Sequence, residues 1–98
     1  MTQTFTAHGR AQMALAHLEA GPATVAELRA AMGARSRKQA RGAWHRLEAM
    51  RDGLLIVPGG GGYLITALGR HALDVMRAGE DFSSQGAGGA NNPARVAA

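Results

Sequence analysis

The chain has 98 residues, a formal net charge of +4 at pH 7 and a hydrophobic content of 46%. A chain of this length has room for one domain with a modest margin of stability. It contains no cysteine, which excludes disulfides, thiolate zinc sites and cysteine nucleophiles. No segment approaches the roughly 20 apolar residues of a membrane span, and the N-terminus lacks the features of a signal peptide, so we expect a cytoplasmic protein.

The first predicted helix covers about residues 6–20. Ala11, Leu15 and Leu18 fall on one stripe at helical spacing. The helix is expected to end at the Gly-Pro pair of residues 21–22, because proline cannot continue a helix. Its start is open between two threonine N-caps, at positions 4 and 6.

Two further helices each begin with an apparent capping box, a pattern in which two side chains satisfy free N–H groups reciprocally. The first box runs from Thr24 to Glu27 and opens a short helix that is closed by Gly33. The second runs from Ser36 to Gln39 and opens a longer helix that ends at residues 52–53. Its buried face is predicted to consist of Ala40, Ala43, Trp44, Leu47 and Met50. A short helix, a tight turn and a second helix are typical of a helix-turn-helix.

The hydrophobic period then changes from that of a helix to that of a strand. Leu54–Val57 and Tyr63–Thr66 are two short apolar runs, separated by Pro58 and the four glycines of Gly59–Gly62. Two such runs joined by a glycine-rich loop predict a β-hairpin.

A last helix is predicted over residues 67–78, capped by Thr66. Leu68, Ala72, Val75 and Met76 are expected to face the core. After Gly79 the composition becomes rich in Ser, Gln, Gly, Asn and Ala. The sequence therefore predicts a folded domain over residues 1–79 and a disordered tail over residues 80–98.

The expected fold is mainly α-helical, with a three-helix core, a small β-hairpin wing and a C-terminal helix. At this point the chain resembles the winged helix-turn-helix regulators of bacteria and phage, in the manner of the MarR and PadR groups. The stretch Gly62–Leu73 is similar to their "Y-x-L-T-x-x-G-r-x-x-L" pattern, where the second wing strand enters the next helix. The resemblance covers about residues 6–79 and implies a recognition helix in third position. The long flanking helices through which those families dimerise are missing.

The third helix carries the residues expected to bind DNA. With Arg37 at 0° on a helical wheel, Arg41 lies near about 40°, His45 near about 80° and Lys38 near about 100°. These side chains form one polar sector opposite the apolar face. Six of the eleven basic residues lie between positions 35 and 51, against one acidic residue. Arginine and lysine at the start of a recognition helix can reach guanine or phosphate in the major groove.

The hairpin supplies the remaining candidates, although a simple flexible turn explains its glycines equally well. Tyr63 could reach a phosphate or could instead pack beside the hairpin. The predicted DNA contacts are Arg35, Ser36, Arg37, Lys38, Arg41, His45, Gly60, Gly61 and Tyr63.

Enzymatic activity is not expected, because no catalytic constellation is visible. The four histidines (His8, His17, His45 and His71) lack a ligand-like spacing, so neither a metal nor a cofactor is predicted. No small-molecule ligand is evident. The main hypothesis is therefore a sequence-specific regulator that binds double-stranded DNA. The alternatives are a winged-helix module that docks a protein, and an architectural, excisionase-like DNA-binding factor.

Self-association is a further expectation, because a homodimer would bind a palindromic site. The fourth helix offers Leu73, which is expected to lie on a face away from Leu68 and Ala72. We therefore predict that Leu73 is exposed and available for dimer formation.

Overall fold

The computed structural model describes residues 3–84, in which four helices and two pairs of short antiparallel strands form the fold. The prediction of a mainly helical chain with a small hairpin is confirmed. No helix among the described residues is both long and apolar enough to cross a membrane. In chain order the elements are β1 (Gln3–Phe5), α1 (Arg10–Glu19), α2 (Val25–Ala31), α3 (Arg37–Asp52), β2 (Ile56–Gly59), β3 (Gly62–Ile65), α4 (Ala67–Arg77) and β4 (Phe82–Ser84).

Helix α1 begins four residues later than predicted. The N–H of Gly9 donates to the carbonyl of Thr6 at 3.1 Å, so the chain makes a turn where the sequence suggested the first helical residues. Gly9 itself is the N-cap, and no side chain accepts a hydrogen bond there. The predicted threonine caps at positions 4 and 6 are therefore wrong.

The two expected capping boxes differ in the structure. In the first, the N–H of Thr24 donates to Glu27 Oε1 at 2.8 Å and the N–H of Glu27 donates to Thr24 Oγ1 at 3.2 Å, as predicted. In the second, Ser36 Oγ accepts from the N–H of Gln39, but Gln39 Oε1 accepts from the N–H of Arg35 rather than from that of Ser36. The Ser36 box is thus only half formed.

The first capping box also changes the pKa of one of its own residues, Glu27. The hydrogen bond from the backbone of Thr24 holds the pKa of Glu27 below its ordinary value. The carboxylate form therefore favours the folded state above the unfolded pKa, and this contribution is lost as the pH falls through the lower folded pKa.

Strands β2 and β3 are joined by a tighter turn than the sequence suggested. Gly59 pairs with Gly62, so the loop contains only Gly60 and Gly61. Their φ values of 59° and 81° match the mirror-image turn that connects two-residue hairpins and that glycine adopts without strain. Pro58 and Gly59 therefore belong to β2 rather than to the loop.

The hairpin is anchored to the segment between α1 and α2. Ala23 and Tyr63 exchange two backbone hydrogen bonds, of 3.2 and 2.8 Å. A Cβ atom at Gly62 would collide with the carbonyl oxygen of Ala23, so this close approach requires glycine. The hairpin is consequently fixed to the helical part of the fold.

All four helices contribute to one hydrophobic core. Trp44 was predicted to belong to it, but its side chain is only half-buried and lies outside the core cluster. The reason is its position on α3, about 20° from Arg37 but about 100° from the buried Ala43 on a helical wheel. The largest fully buried apolar side chains are Phe5, Leu15, Leu18, Leu28, Met32, Leu47, Met50, Leu55, Ile56, Leu73 and Met76.

The prediction that Leu73 is exposed on α4 is wrong, because this side chain is 0% exposed. The helix packs against both α1 and β4, so it buries an arc wider than a single stripe. From Leu68 to Leu73 this arc covers about 140° of the helix surface. Leu73 is therefore a core residue and does not form a dimer surface.

Thr66 caps α4 as predicted and also ties this helix to the chain before the hairpin. Its Oγ1 accepts from the N–H of Gly69 at 2.9 Å and donates to the carbonyls of Leu54 and Leu55, at 2.6 and 3.0 Å. A single hydroxyl therefore stabilises both the helix start and the approach to β2.

Replacing this hydroxyl tests its role. Thr66→Ala is expected to lower the free energy of unfolding by about 1–2 kcal/mol, as the loss of an N-cap does. Thr66→Ser retains the hydroxyl and is the control. Urea denaturation of both variants measures the difference, and equal stability of the two would show that the hydroxyl contributes nothing.

The folded unit extends beyond the predicted boundary at residue 79. Strand β4 pairs with β1, with Gln3 opposite Ser84 and Phe5 opposite Phe82. Asp81 Oδ1 accepts from the N–H of Ala7 at 2.9 Å. Residues 80–84 are thus part of the domain, whereas the rest of the predicted disordered tail, 85–98, lies outside the described residues.

Candidate nucleic-acid interface

The first two turns of α3 present a basic surface, which we define as Arg37, Lys38 and Arg41. All three side chains are exposed. Ala43 and Leu47, on the opposite side of the helix, are at most 1% exposed. The helix therefore separates a core face from a charged face, as the wheel predicted.

The position of this surface is set by the connection from α2. Gly33 N–H donates to the carbonyl of Ala30 and Ala34 N–H donates to that of Arg29, both at 3.0 Å, which closes the end of α2. Leu28 and Met32 are buried and hold α2 in the core. A short turn follows, and the first three residues of α3 are exposed.

The basic surface has no acidic partner within residues 3–84. The ion pairs found there join Arg77 to Glu19 at 2.8 Å and His45 Nδ1 to Glu48 Oε1 at 3.5 Å. The first pair links α4 to α1, away from α3, and its hydrogen bond holds the pKa of Glu19 below the ordinary value. The charges of the basic surface are therefore free to meet an external anion.

His45, Arg35 and Ser36 extend the basic surface. The side chain of His45 is 69% exposed and contacts Glu48, and its imidazole can take part in hydrogen bonds. Arg35 and Ser36 are also exposed, at the turn just before α3. The Ser36 hydroxyl accepts from Gln39 N–H and keeps its own proton for donation. The structure thus brings six of the predicted contacts together around the start of α3.

The hairpin offers less than predicted. Gly60 and Gly61 are exposed at its tip, and no residue of β2, β3 or their turn is charged. Tyr63 is only 9% exposed and belongs to the core cluster. Of the two roles considered for Tyr63, packing is therefore the one found, and we remove it from the interface.

Two arginines that lie together in the structure were not identified from the sequence. Arg10, at the start of α1, and Arg46, on α3, line one cleft. They are 36 positions apart, and no local pattern in the sequence could have paired them. Only the packing of α1 against α3 brings them together.

The chain matches no family model, and neither the curated proteins nor the solved structures contain a significant match to it.

Proposed function

We propose that the chain is a winged helix-turn-helix protein that binds double-stranded DNA as a transcriptional regulator. The observation that carries this proposal is the exposed, unpaired basic surface on the first two turns of α3, directly after a short helix and a tight turn. In a helix-turn-helix, this part of the second helix enters the major groove.

The order of the elements supports the winged-helix assignment. Three helices precede the hairpin, and a single β-bridge between Ala23 and Tyr63 joins the α1–α2 connection to β3. This arrangement anchors the hairpin next to the helical core, where its tip, Gly60 and Gly61, can approach the DNA backbone. Because the tip has no basic side chain, we assign it a backbone contact rather than base recognition.

The basic surface supplies the chemistry for both affinity and specificity. Arg37 and Arg41 lie one turn apart, and each guanidinium can donate two hydrogen bonds to O6 and N7 of a guanine. Lys38 can reach guanine or a phosphate. Neutralised phosphates release condensed counterions, which favours binding at low salt.

Arg41→Ala tests the assignment. We expect the dissociation constant for a preferred duplex to rise roughly 5- to 150-fold, equivalent to about 1–3 kcal/mol, because the substitution removes a guanidinium that donates to a base. The duplex is first selected from a random-sequence pool, and affinity is then measured by fluorescence anisotropy.

Arg70→Ala is the matched control, because Arg70 is exposed on α4 and the substitution removes the same charge. Unchanged affinity in Arg41→Ala together with a native circular dichroism spectrum would contradict the proposed orientation of α3. If no duplex is enriched and the protein shows no salt-dependent affinity for DNA, the function itself is wrong.

Docking of a protein partner is a second candidate function, favoured by one observation. Trp44 is half-buried on the flank of α3 and does not pack in the core, and tryptophan is enriched among residues that dominate protein interfaces. An architectural DNA-binding role would use the same contacts as the regulator. Random-duplex selection separates these candidates, since a protein-docking module enriches nothing and an architectural factor enriches bent sites.

A further inference from the structure

A cleft lies between the start of α1 and the middle of α3. Its volume is about 320 Å³, and its lining residues are Thr6, Gly9, Arg10, Ala11, Gly42 and Arg46. Both charged residues of this lining are arginines, so the cleft is positively charged.

Gly42 brings one guanidinium against α3. A Cβ atom at this position would lie 3.5 Å from an Nη atom of Arg10, so the guanidinium occupies the space above the glycine. Arg46 follows one turn later on the same row of α3, because residues i and i+4 are neighbours on a helix. Two cations from different helices therefore line one cavity.

Neither arginine has an acidic partner in the part of the chain that the structure describes. The ion pairs found there involve Arg77 with Glu19 and His45 with Glu48, and no acidic residue lines the cleft. Two positive charges that line one cleft repel each other, and a bound anion would offset this repulsion. The cleft therefore has the charge of an anion site without a protein carboxylate to fill it.

The backbone at the start of α1 adds to the positive charge of the cleft. Gly9, the N-cap of α1, provides no side-chain acceptor, and the first N–H groups of a helix lack partners within the helix. These groups carry partial positive charge at the cleft. They supplement the two guanidinium groups, which are the principal donors.

We propose that this cleft binds one phosphate group between Arg10 and Arg46. Guanidinium groups donate pairs of hydrogen bonds that match the oxygens of a phosphate. Lys38, Gly42 and Arg46 occupy successive positions of one i, i+4 row, so the cleft continues the basic surface along α3. The phosphate is either part of a DNA backbone, which rests on the function proposed above, or free in solution.

The first arm of the test uses inorganic phosphate without DNA. In ¹⁵N-labelled protein, titration is expected to shift the amide signals of Ala11 and Gly42 saturably. The double variant Arg10→Gln/Arg46→Gln should abolish these shifts. The control Arg51→Gln/Arg70→Gln, which removes the same charge from two exposed arginines outside the cleft, should retain them.

A second variant guards against loss of structure in the double variant. Gly42→Asp introduces a carboxylate beside Arg10, where the structure leaves room for a side chain. It is expected to abolish the phosphate-induced shifts without lowering the melting temperature. Shifts that persist in this variant would show that phosphate does not enter the cleft.

The second arm measures DNA affinity against salt. For each phosphate that a variant no longer neutralises, the slope of log K against log salt should become less negative by about one unit. A change in Arg10→Gln/Arg46→Gln that the control lacks, with sequence preference unaltered, assigns the phosphate to DNA. Shifts with free phosphate and an unchanged slope assign it to solution.

Both of those outcomes support a phosphate site, and they identify its source. If the parent shows no saturable shift and its salt slope equals that of the double variant, the cleft is not a phosphate site. Failure of the parent to bind any DNA would overturn the proposed function, but the first arm would still decide the inference about the cleft.

Discussion

Phe82→Ala is expected to reduce the free energy of unfolding by about 3–5 kcal/mol, as the removal of a buried aromatic ring does. Phe82 is 5% exposed, lies opposite Phe5 in the β1–β4 pair and contacts the ring of His71 edge-on at 5.8 Å between ring centroids. The total stability of a small domain is about 5–15 kcal/mol. This one residue therefore contributes a large share, although it lies within a segment whose composition suggests disorder.

Thermal and urea denaturation of the full chain measure the effect. Ser83→Ala is the control, because Ser83 is the exposed neighbour on the same strand. A melting temperature for Phe82→Ala within a degree or two of the parent would show that β4 does not pack on the domain in solution. The boundary would then return to residue 79.

Leu73→Glu is expected to unfold the domain, with a decrease in the free energy of unfolding of at least about 4 kcal/mol. The substitution places a carboxylate at a position that is 0% exposed, and an unpaired buried charge is among the few changes that cost this much. If the introduced glutamate is protonated instead, its neutral carboxyl group still lacks hydrogen-bond partners in the apolar core.

The control is Arg70→Glu, which introduces the same side chain at an exposed position of α4 and should leave the fold intact. Circular dichroism and size-exclusion chromatography distinguish the outcomes. If Leu73→Glu gives a folded monomer while the parent is a dimer, Leu73 belongs to a subunit interface, and its burial in the core is refuted.

Local chemistry made much of the fold predictable. Capping threonines at residues 24 and 66, the period change after Gly53 and the run of glycines each report on a few neighbouring residues, so helix starts and the hairpin could be predicted from the sequence. The half-formed Ser36 box shows the limit of this approach. The Gln39 side chain has two backbone donors within reach, and the sequence does not say which one it uses.

The errors arise where distant segments meet. Strands β1 and β4 have three residues each and are paired across nearly the whole described chain, so neither has enough periodicity to be recognised by itself. The predictions for Leu73 and Trp44 are wrong because the width of a buried helical arc depends on how many elements surround the helix. Helix α4 packs against α1 and β4, whereas the Trp44 flank of α3 is less covered.

The same distinction applies to the candidate interface: features of a single helix could be predicted from the sequence, whereas contacts between distant segments could not. The basic surface of α3 could be predicted because a single helix displays it. The sequence alone leaves the role of Tyr63 open, since the segment that pairs with its backbone, around Ala23, lies 40 positions away. The pairing of Arg10 with Arg46 required the tertiary structure.

The β1–β4 pair also determines how the domain would respond to mechanical force. Gln3 and Ser84 lie opposite each other at one end of this pair, so tension applied through them acts along the interstrand hydrogen bonds, which run perpendicular to the strands. Such bonds break one after another rather than all at once, ending at the Phe5–Phe82 rung. Tension at these two residues would therefore open the strand pair by unzipping, first past the buried rings of Phe5 and Phe82 and then past the Ala7–Asp81 hydrogen bond.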